Sequence, residues 1–267
     1  TFNKKISVSG DKSISIRWVL LASLANGVSK ANNLLISEDV QAAISTIRKL
    51  GIKVTIKEKF CKIFGKGLNG YKYKKNLTIN AENSGTLGRL ILGLLVNTTN
   101  PIKLIGDKSL SKRDFKRVSD PLSKFGAIFK LKNNKSLPLT IKGSSNLKPI
   151  TYLENKGSAQ CKSSVIFAGL RTTGTSVLKA KKSRNHTELM CKYLGLPVTV
   201  NSKKNYDLIK VRNAKKIKPL NYKIPSDISS SAFFIVLAAL SNNSALLIKG
   251  VNTVSYTHLR AHETYDH

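Results

Sequence analysis

Acidic residues are scarce in this sequence. Of its 267 residues, 14 are Asp or Glu and 46 are Lys or Arg, which gives a formal net charge of +32. Such an excess predicts attraction for polyanions, whether nucleic acid, an anionic membrane surface or phosphorylated metabolites. The basic residues are mostly Lys scattered among Asn and Ile, as an A/T-rich coding bias also produces. The charge alone therefore favours none of these partners over a solvated surface.

Long hydrophobic runs and paired cysteines are also lacking. The longest apolar run, from Ala232 to Leu240, has nine residues, well below the roughly 20 that cross a bilayer. Cys61, Cys161 and Cys191 are widely spaced, which argues against a disulfide framework and a zinc site. From the first residues, Thr1-Phe2-Asn3, we expect no cleavable leader. With 41% hydrophobic residues, the sequence predicts a folded protein of the reducing cytoplasm.

The chain contains a repeat with a period of about 70 residues. In four segments a short polar cluster opens a strongly apolar helical stretch that stops near Asn or Gly. These segments are 11–26, 83–97, 158–170 and 227–242. Polar N-caps followed by helices that are apolar on nearly every face predict helices buried in a domain interior.

A second, amphipathic helix follows in each of the first three units. The predicted helices span 39–50, 113–125 and 186–194, and each ends in a hydrophobic–Gly pair before a short strand. Gly in that place permits the left-handed turn that closes a helix. The pattern predicts repeated supersecondary modules of alternating strands and helices rather than one continuous sheet.

The polar clusters are the candidate sites. A helix N-terminus presents unpaired N–H groups and a partial positive charge, so it attracts anions. A Ser or Asp at a helix start usually serves only as a cap, but here basic residues recur in the same relative place. The suitable side chains are Lys12, Ser13 and Arg17 in the first unit, Asn83, Gly85, Thr86 and Arg89 in the second, and Ser158, Gln160 and Lys162 in the third. Three such ends on one face would bind a small ligand with several phosphates or carboxylates.

One stretch interleaves aromatic and basic residues. Residues 71–75 read Tyr-Lys-Tyr-Lys-Lys, a pattern that suits a platform on which single-stranded nucleic acid stacks. A half-buried strand with a lysine face explains the same pattern.

Six motifs, in their order and spacing, resemble the 5-enolpyruvylshikimate-3-phosphate (EPSP) synthase family, the 3-phosphoshikimate 1-carboxyvinyltransferases. They lie at 10–17, 83–86, 106–113, 158–163, 183–188 and 225–230. The resemblance covers residues 1 to about 253, but only the first part of a typical member. It implies an α/β (α+β) fold of repeated β-α-β-α-β-β units around buried parallel helices, the inside-out barrel of enolpyruvyl transferases, with the second domain truncated.

The same resemblance implies a division into domains. Residues 1–10 start a split domain, 11–225 form a complete three-repeat domain, and 226–253 return to the split domain. Residues 254–267 contain three of the four His and no Lys. This abrupt change of composition predicts a non-native tail, with a His-rich metal-binding tail as the alternative.

The function that the resemblance implies is transfer of the enolpyruvyl group from phosphoenolpyruvate to the 5-hydroxyl of shikimate 3-phosphate. Phosphate is released, and the product serves aromatic amino-acid (chorismate) biosynthesis. The resemblance implies no cofactor, no metal, no nucleic-acid or membrane partner, a cytoplasmic location, and a monomer at full length. The family's proton-transfer carboxylates lie beyond this chain, so no catalytic residue is assigned and we expect an inactive fragment. The alternatives are a UDP-sugar enolpyruvyl transferase and a basic nucleic-acid-binding repeat protein.

The family motifs also imply the substrate site. The substrate-binding set consists of Lys12, Ser13, Arg17, Gly85, Arg113, Ser158, Ala159, Gln160 and Ser183. Lys12, Ser13 and Arg17 are expected on shikimate 3-phosphate, and Gly85 and Arg113 on phosphoenolpyruvate. The secondary set consists of Asn83, Thr86, Arg184, His186 and Asp227. For His186 we expect a ring that orients its neighbours or packs, rather than an acid or base.

Overall fold

The computed structural model describes residues 1–251, which form a mixed α/β structure. The seven α-helices in this range are α1 (Lys12–Ser23), α2 (Glu38–Lys49), α3 (Gly85–Leu94), α4 (Lys116–Lys124), α5 (Ala159–Gly169), α6 (His186–Tyr193) and α7 (Ile228–Ala239). The predicted non-native tail, 254–267, lies outside the described residues, as do the last two residues of the predicted 226–253 segment.

Fourteen strands alternate with these helices within the same range. They are β1 (Asn3–Ile6), β2 (Asn26–Asn32), β3 (Lys53–Lys57), β4 (Phe60–Lys66), β5 (Leu77–Asn80), β6 (Ile102–Ile105), β7 (Ile128–Lys132), β8 (Ser136–Lys142), β9 (Thr151–Glu154), β10 (Thr175–Lys181), β11 (Val198–Ser202), β12 (Tyr206–Arg212), β13 (Asn221–Lys223) and β14 (Ala245–Ile248). A short 3-10 helix spans Leu110–Lys112.

Three four-stranded sheets repeat one topology. Their strand orders are β13-β2-β4-β3, β5-β6-β8-β7 and β9-β10-β12-β11. In each sheet the first pair is parallel and the other two pairs are antiparallel. In the second and third units the chain runs β-α-β-α-β-β, as predicted. The three sheets remain separate, and none of the sheets in the described residues closes into a barrel.

The first sheet takes its outer strand from a distant part of the chain. β13 pairs with β2 in the register Asn221↔Lys30. Two hydrogen bonds reinforce this return, because Trp18 Nε1 donates to the Leu220 oxygen at 3.1 Å and the Leu220 N–H donates to Ser29 Oγ at 2.9 Å. Residues about 190 positions apart thus belong to one sheet.

Helices α1, α3 and α5 form the interior, as their apolar sequences predicted. Nearly all their residues are buried, and α3 contacts both α1 and α5. Burying each Leu, Ile or Phe side chain contributes about 1.5–3 kcal/mol, so packing dominates their stability. The predicted caps are present. Asp11, Ser84 and Ser158 each accept a hydrogen bond from the backbone N–H three residues later, at 2.8, 3.2 and 3.2 Å.

Helix α7 has the same design in a different environment. Asp227 caps it by accepting the Ser229 N–H at 2.8 Å. Its apolar side chains nevertheless remain open, with Phe233 80% and Leu240 81% exposed. Strands β1 and β14 pair in parallel as a two-stranded sheet. These elements resemble an incomplete fourth unit, and the described residues leave the apolar face of α7 uncovered.

Two local predictions were wrong. Helix α4 begins at Lys116 rather than at Arg113, because Arg113 has an extended backbone and the N-cap residue is Phe115. Asp114 Oδ1 accepts the Arg117 N–H of the first turn. Residues 71–75 form no strand. The Tyr71 hydroxyl instead shares a hydrogen bond with Ser23 Oγ, and both Tyr71 and Tyr73 pack against the core.

Candidate functional site

The N-termini of α1, α3 and α5 open onto one cavity of about 480 Å³. Each helix contributes residues of its first turn. The sequence-predicted residues that line the cavity are Lys12, Ser13, Arg17, Asn83, Gly85, Thr86, Arg113, Ala159, Gln160, Arg184 and His186. The fold thus brings together eleven of the fourteen residues in the predicted substrate-binding and secondary sets.

The cavity is cationic but not uniformly so. Lys12, Arg17, Arg113 and Arg184 face two carboxylates, Glu38 and Asp39, from the first turn of α2. Lys12 Nζ lies 3.6 Å from Asp39 Oδ2, and the lysine side chain is about half exposed. Cations and helix N-termini around one concave surface favour a small ligand with several negative charges.

Arg17 lies on the inner side of α1 and is 3% exposed. Its Nη1 donates to the backbone oxygen of Ser13 at 3.0 Å, and its Nε donates to Thr187 Oγ1 on α6 at 2.8 Å. The guanidinium is therefore fixed by its own helix and by a second one at the cavity wall.

Gln160 is held at both ends of its amide. Its Oε1 accepts a hydrogen bond from Arg89 Nη1 at 2.5 Å, and its Nε2 donates to Thr86 Oγ1 at 3.1 Å. Arg89 lies over the Phe115 ring at 5.4 Å, and burial lowers the pKa of this arginine. Arg89 and Thr86 thus orient Gln160 before any ligand arrives.

Gly85 leaves room for two guanidinium groups. A Cβ at this position would lie 2.9 Å from Arg113 Nη1 and 3.4 Å from Arg89 Nη1. Arg113 Nη2 also donates to Asn83 Oδ1 at 3.2 Å. A side chain at position 85 would therefore displace the Arg113 guanidinium from its place beside α3.

Helix α6 supplies the third wall. Burial, reinforced by Arg17, Arg184 and Lys162, lowers the pKa of His186 to about 3. The ring is therefore neutral at physiological pH and is unsuited to donating a proton there. Two residues further along α6, Glu188 forms an ion pair with Lys162 on α5 at 2.6 Å, and both side chains are buried.

Three predicted residues do not line the cavity. Ser158 is the N-cap of α5 and Asp227 the N-cap of α7, where Asp227 also accepts the Lys12 N–H at 3.3 Å. The backbone oxygen of Ser183 accepts a hydrogen bond from Lys162 Nζ at 3.5 Å. These residues lie just behind the cavity wall, next to residues that form it.

The sequence analysis missed Glu38 and Asp39 as cavity residues. The sequence pattern marked the start of α2 only as part of an amphipathic helix, and no carboxylate for proton transfer was expected in the chain. A usable signal existed, since acidic pairs are rare among only 14 Asp and Glu. Their position beside Lys12 depends on the packing of α2 against α1, which sequence spacing does not reveal.

No cluster of three or more His, Cys, Asp or Glu able to hold a metal ion occurs in the described part of the chain. Cys61, Cys161 and Cys191 are free and buried, and burial raises the pKa of the Cys61 thiol to about 12. Among residues 1–251 there is also no helix with the length and apolarity to span a membrane.

Comparison with known proteins identifies the family. The family model described as EPSP synthase (3-phosphoshikimate 1-carboxyvinyltransferase) matches residues 1–263. The chain belongs to the EPSP synthase family. Curated members named 3-phosphoshikimate 1-carboxyvinyltransferase include those of Caldicellulosiruptor saccharolyticus, 41% identical over 247 residues, and Caldicellulosiruptor bescii, 43% identical over 250 residues. Each alignment covers 92% of this chain.

Solved EPSP synthases share the fold. A structure of the Acinetobacter baumannii EPSP synthase superimposes with a TM-score of 0.85 at 33% identity and covers 94% of this chain. The chain spans 56% of that structure, and 56% and 57% of the two Caldicellulosiruptor family members. The family and the α/β fold predictions are therefore confirmed, whereas the individual residue roles stay predictions.

Proposed function

We propose that this chain forms the shikimate 3-phosphate half-site of a 3-phosphoshikimate 1-carboxyvinyltransferase. The observation that carries the proposal is the convergence of three capped helix N-termini and four cationic side chains on one cavity of about 480 Å³. The complete protein transfers the enolpyruvyl group of phosphoenolpyruvate to the 5-hydroxyl of shikimate 3-phosphate and releases phosphate. The family and the names of its curated members support this reaction.

The shikimate 3-phosphate side of the cavity consists of α1, α5 and α6. Lys12, Ser13 and Arg17 bind the anionic groups of this substrate, and Ala159 and Gln160 contact it from the opposite wall. Arginine suits this role because its planar fork pairs with two oxygens of a phosphate or carboxylate at once. Ser158 and Asp227 also cap α5 and α7, and Ser158 and Ser183 stay predicted contacts of shikimate 3-phosphate.

The phosphoenolpyruvate side consists of the first turn of α3 and the extended segment before α4. Arg113 binds an oxyanion of phosphoenolpyruvate, and Gly85 leaves the space for the ligand and the guanidinium. Asn83 and Thr86 orient Arg113 and Gln160, to which they are hydrogen-bonded. Arg184 and a neutral His186 complete the wall.

These residues promote the reaction by positioning and charge neutralisation. Two small substrates bring several negative charges together, and the cations and helix N-termini offset that repulsion. Holding the hydroxyl near the vinyl carbon lowers the entropic part of the barrier. No acid or base for the proton transfers is assigned here, because His186 is neutral and Asp39 is paired with Lys12.

The domain division of the sequence analysis is part of the proposal. The pairing of β1 with β14 joins residues 3–6 to 245–248 and supports a split domain that begins before residue 10 and resumes after 226. The pairing of β13 with β2 supports a three-repeat domain over 11–225. The chain crosses between these parts at Asp11, whose N–H donates to the Pro225 oxygen, and at Asp227, whose N–H donates to the Ser9 oxygen.

The proposal is tested by calorimetric titration of the 267-residue chain with shikimate 3-phosphate. We expect binding, and we expect Lys12→Ala to weaken it roughly 10- to 100-fold, because hydrogen bonds to charged groups contribute about 1.5–3 kcal/mol. Lys130→Ala is the matched control. It removes the same charge from an exposed residue of β7 and should leave the affinity unchanged.

Two results would contradict the proposal: no heat from shikimate 3-phosphate on material with a native circular dichroism spectrum, or equal affinities for the two lysine variants. Preferential binding of a UDP-sugar acceptor would favour a UDP-sugar enolpyruvyl transferase. Binding of single-stranded nucleic acid that weakens steeply with salt, without any response to shikimate 3-phosphate, would favour a basic nucleic-acid-binding repeat protein.

A further inference from the structure

Arg17 belongs to a hydrogen-bond network that joins three helices. Its Nε donates to Thr187 Oγ1 at 2.8 Å, and its Nη2 donates to Ser163 Oγ at 3.2 Å. The two hydroxyls also contact each other at 2.7 Å. Thr187 and Ser163 are buried and do not line the cavity, so neither is placed to touch a ligand.

The directions of these hydrogen bonds are determined by counting protons. A hydroxyl has a single proton, and a carbonyl oxygen only accepts. Ser163 Oγ donates its proton to the Ala159 oxygen at 2.6 Å. The bond between the two hydroxyls is therefore donated by Thr187, and Ser163 accepts from Thr187 and Arg17 together. Thr187 in turn accepts the Nε proton of Arg17.

This arrangement leaves the two hydroxyls no alternative orientation. Thr187 and Ser163 present two acceptors, one on α6 and one on α5, to the Nε and Nη2 side of a single guanidinium. The Ser13 oxygen on α1 accepts from Nη1 and fixes the plane from a third direction. Arg17, which lines the cavity, is thereby fixed before ligand binding.

Thr187 lies in the middle of three residues that each have a separate partner. His186 lines the cavity, Thr187 reaches Arg17 on α1, and Glu188 pairs with Lys162 on α5. Three consecutive side chains at the start of α6 thus connect this helix to the cavity and to both neighbouring helices. Thr187 thus holds a residue to which the proposed function assigns substrate binding.

We propose that Thr187 is a positioning residue that orients Arg17 for shikimate 3-phosphate, an inference that rests on the proposed function above. A guanidinium that is already fixed loses less side-chain freedom when it pairs with an oxyanion. Without the Thr187 hydroxyl, Arg17 loses the acceptor for Nε, and the guanidinium is held less firmly before the ligand arrives. Immobilising a side chain on binding lowers affinity, by roughly 3- to 10-fold for one long side chain.

The test compares Thr187→Val with Thr187→Ser. Valine keeps the branched shape and removes the hydroxyl, whereas serine keeps the hydroxyl. We expect Thr187→Val to weaken shikimate 3-phosphate binding roughly 3- to 10-fold. We expect Thr187→Ser to bind with the wild-type affinity. Cys191→Ala, one turn further along α6 and also buried, controls for a loss of stability that does not touch Arg17.

A second measurement reports on Arg17 directly. In ¹⁵N NMR spectra the Arg17 Nε–H, assigned by its disappearance in Arg17→Lys, should exchange slowly with solvent in the wild type and in Thr187→Ser. It should exchange faster in Thr187→Val. Ser163→Ala removes the other acceptor and is an independent version of the test, with a loss of affinity of the same size.

The possible failures are distinguishable. If the wild type binds shikimate 3-phosphate and Thr187→Val binds it equally well, the positioning role is wrong and the proposed function stands. If Cys191→Ala weakens binding as much as Thr187→Val, Thr187 has only a structural role and the inference fails. If the folded wild-type chain binds no shikimate 3-phosphate, the proposed function fails and the inference fails with it.

Discussion

At the scale of single residues, His186 gives the sharpest expectation about pH. Its pKa falls from the ordinary 6.5 to about 3 because of burial and of the cations around it. Between these values the unfolded chain binds a proton that the folded chain does not. The free energy of unfolding should therefore be highest above pH 6.5 and should fall as the pH is lowered, by about 1 kcal/mol per pH unit from this group. Denaturant titrations between pH 5 and 7 measure the slope.

His186→Gln isolates this contribution, because it removes the titrating ring and should flatten the slope. The comparison is needed because Asp11 acts with the opposite sign. Burial raises the pKa of its carboxyl group, so its contribution to stability decreases as the pH rises. An unchanged slope in His186→Gln would show that the ring is not held neutral in the folded state.

At the scale of secondary-structure elements, the Lys162–Glu188 ion pair connects α5 to α6 inside the molecule. Glu188→Gln leaves a buried ammonium without its counter-charge, so we expect a loss of about 3–5 kcal/mol in the free energy of unfolding. The Lys162→Met/Glu188→Leu double variant should recover most of it, because apolar residues of similar size replace a buried pair well. Urea unfolding of the three proteins provides the comparison.

A more exposed ion pair in the same unit serves as the control. Lys182 and Asp207 lie 3.0 Å apart, with the lysine about half exposed. Lys182→Met should cost less, about 1 kcal/mol, because solvent screens the lysine end of the pair and Ser202 Oγ still donates to Asp207 Oδ1. Equal losses in Glu188→Gln and Lys182→Met would mean that burial of the first pair has no energetic consequence.

The helices also show which parts of the fold could be predicted from the sequence. The openings of α1, α3, α5 and α7 were predictable because a cap and an apolar stretch are local signals that need no partner. The break before α4 was not, since Arg113 has an extended backbone and its side chain contacts Asn83, 30 residues away in the sequence. The position of Glu38 and Asp39 at the cavity likewise follows from helix packing.

The sequence predicted which residues lie at the candidate site better than it predicted the role of each residue there. The repeated basic residues at helix openings and the family motifs together identified most of the cavity wall. They did not separate direct wall residues from supports, as Ser158, Ser183 and Asp227 illustrate, because a cap and a ligand contact use the same residue types. The partners of Thr187 lie 24 and 170 residues away, beyond any local pattern.

At the scale of the whole molecule, we expect this chain to bind substrate without turning it over. It spans 56–57% of its Caldicellulosiruptor relatives, and its cavity has no assigned acid or base. A phosphate-release assay with both substrates should give the enzyme-free rate, while a complete EPSP synthase assayed in parallel gives turnover. Activity near that of the complete enzyme would refute this expectation.

The return of β13 to β2 has a consequence for biosynthesis. Translation delivers residues 26–66 early, yet the sheet they build stays one edge strand short until residues 221–223 have left the ribosome. The module that is synthesised first is therefore completed last. The three modules cannot fold to completion in the order in which they are synthesised. Emergence of residues 221–223 from the ribosome, rather than the synthesis of each module, therefore times the completion of the first sheet.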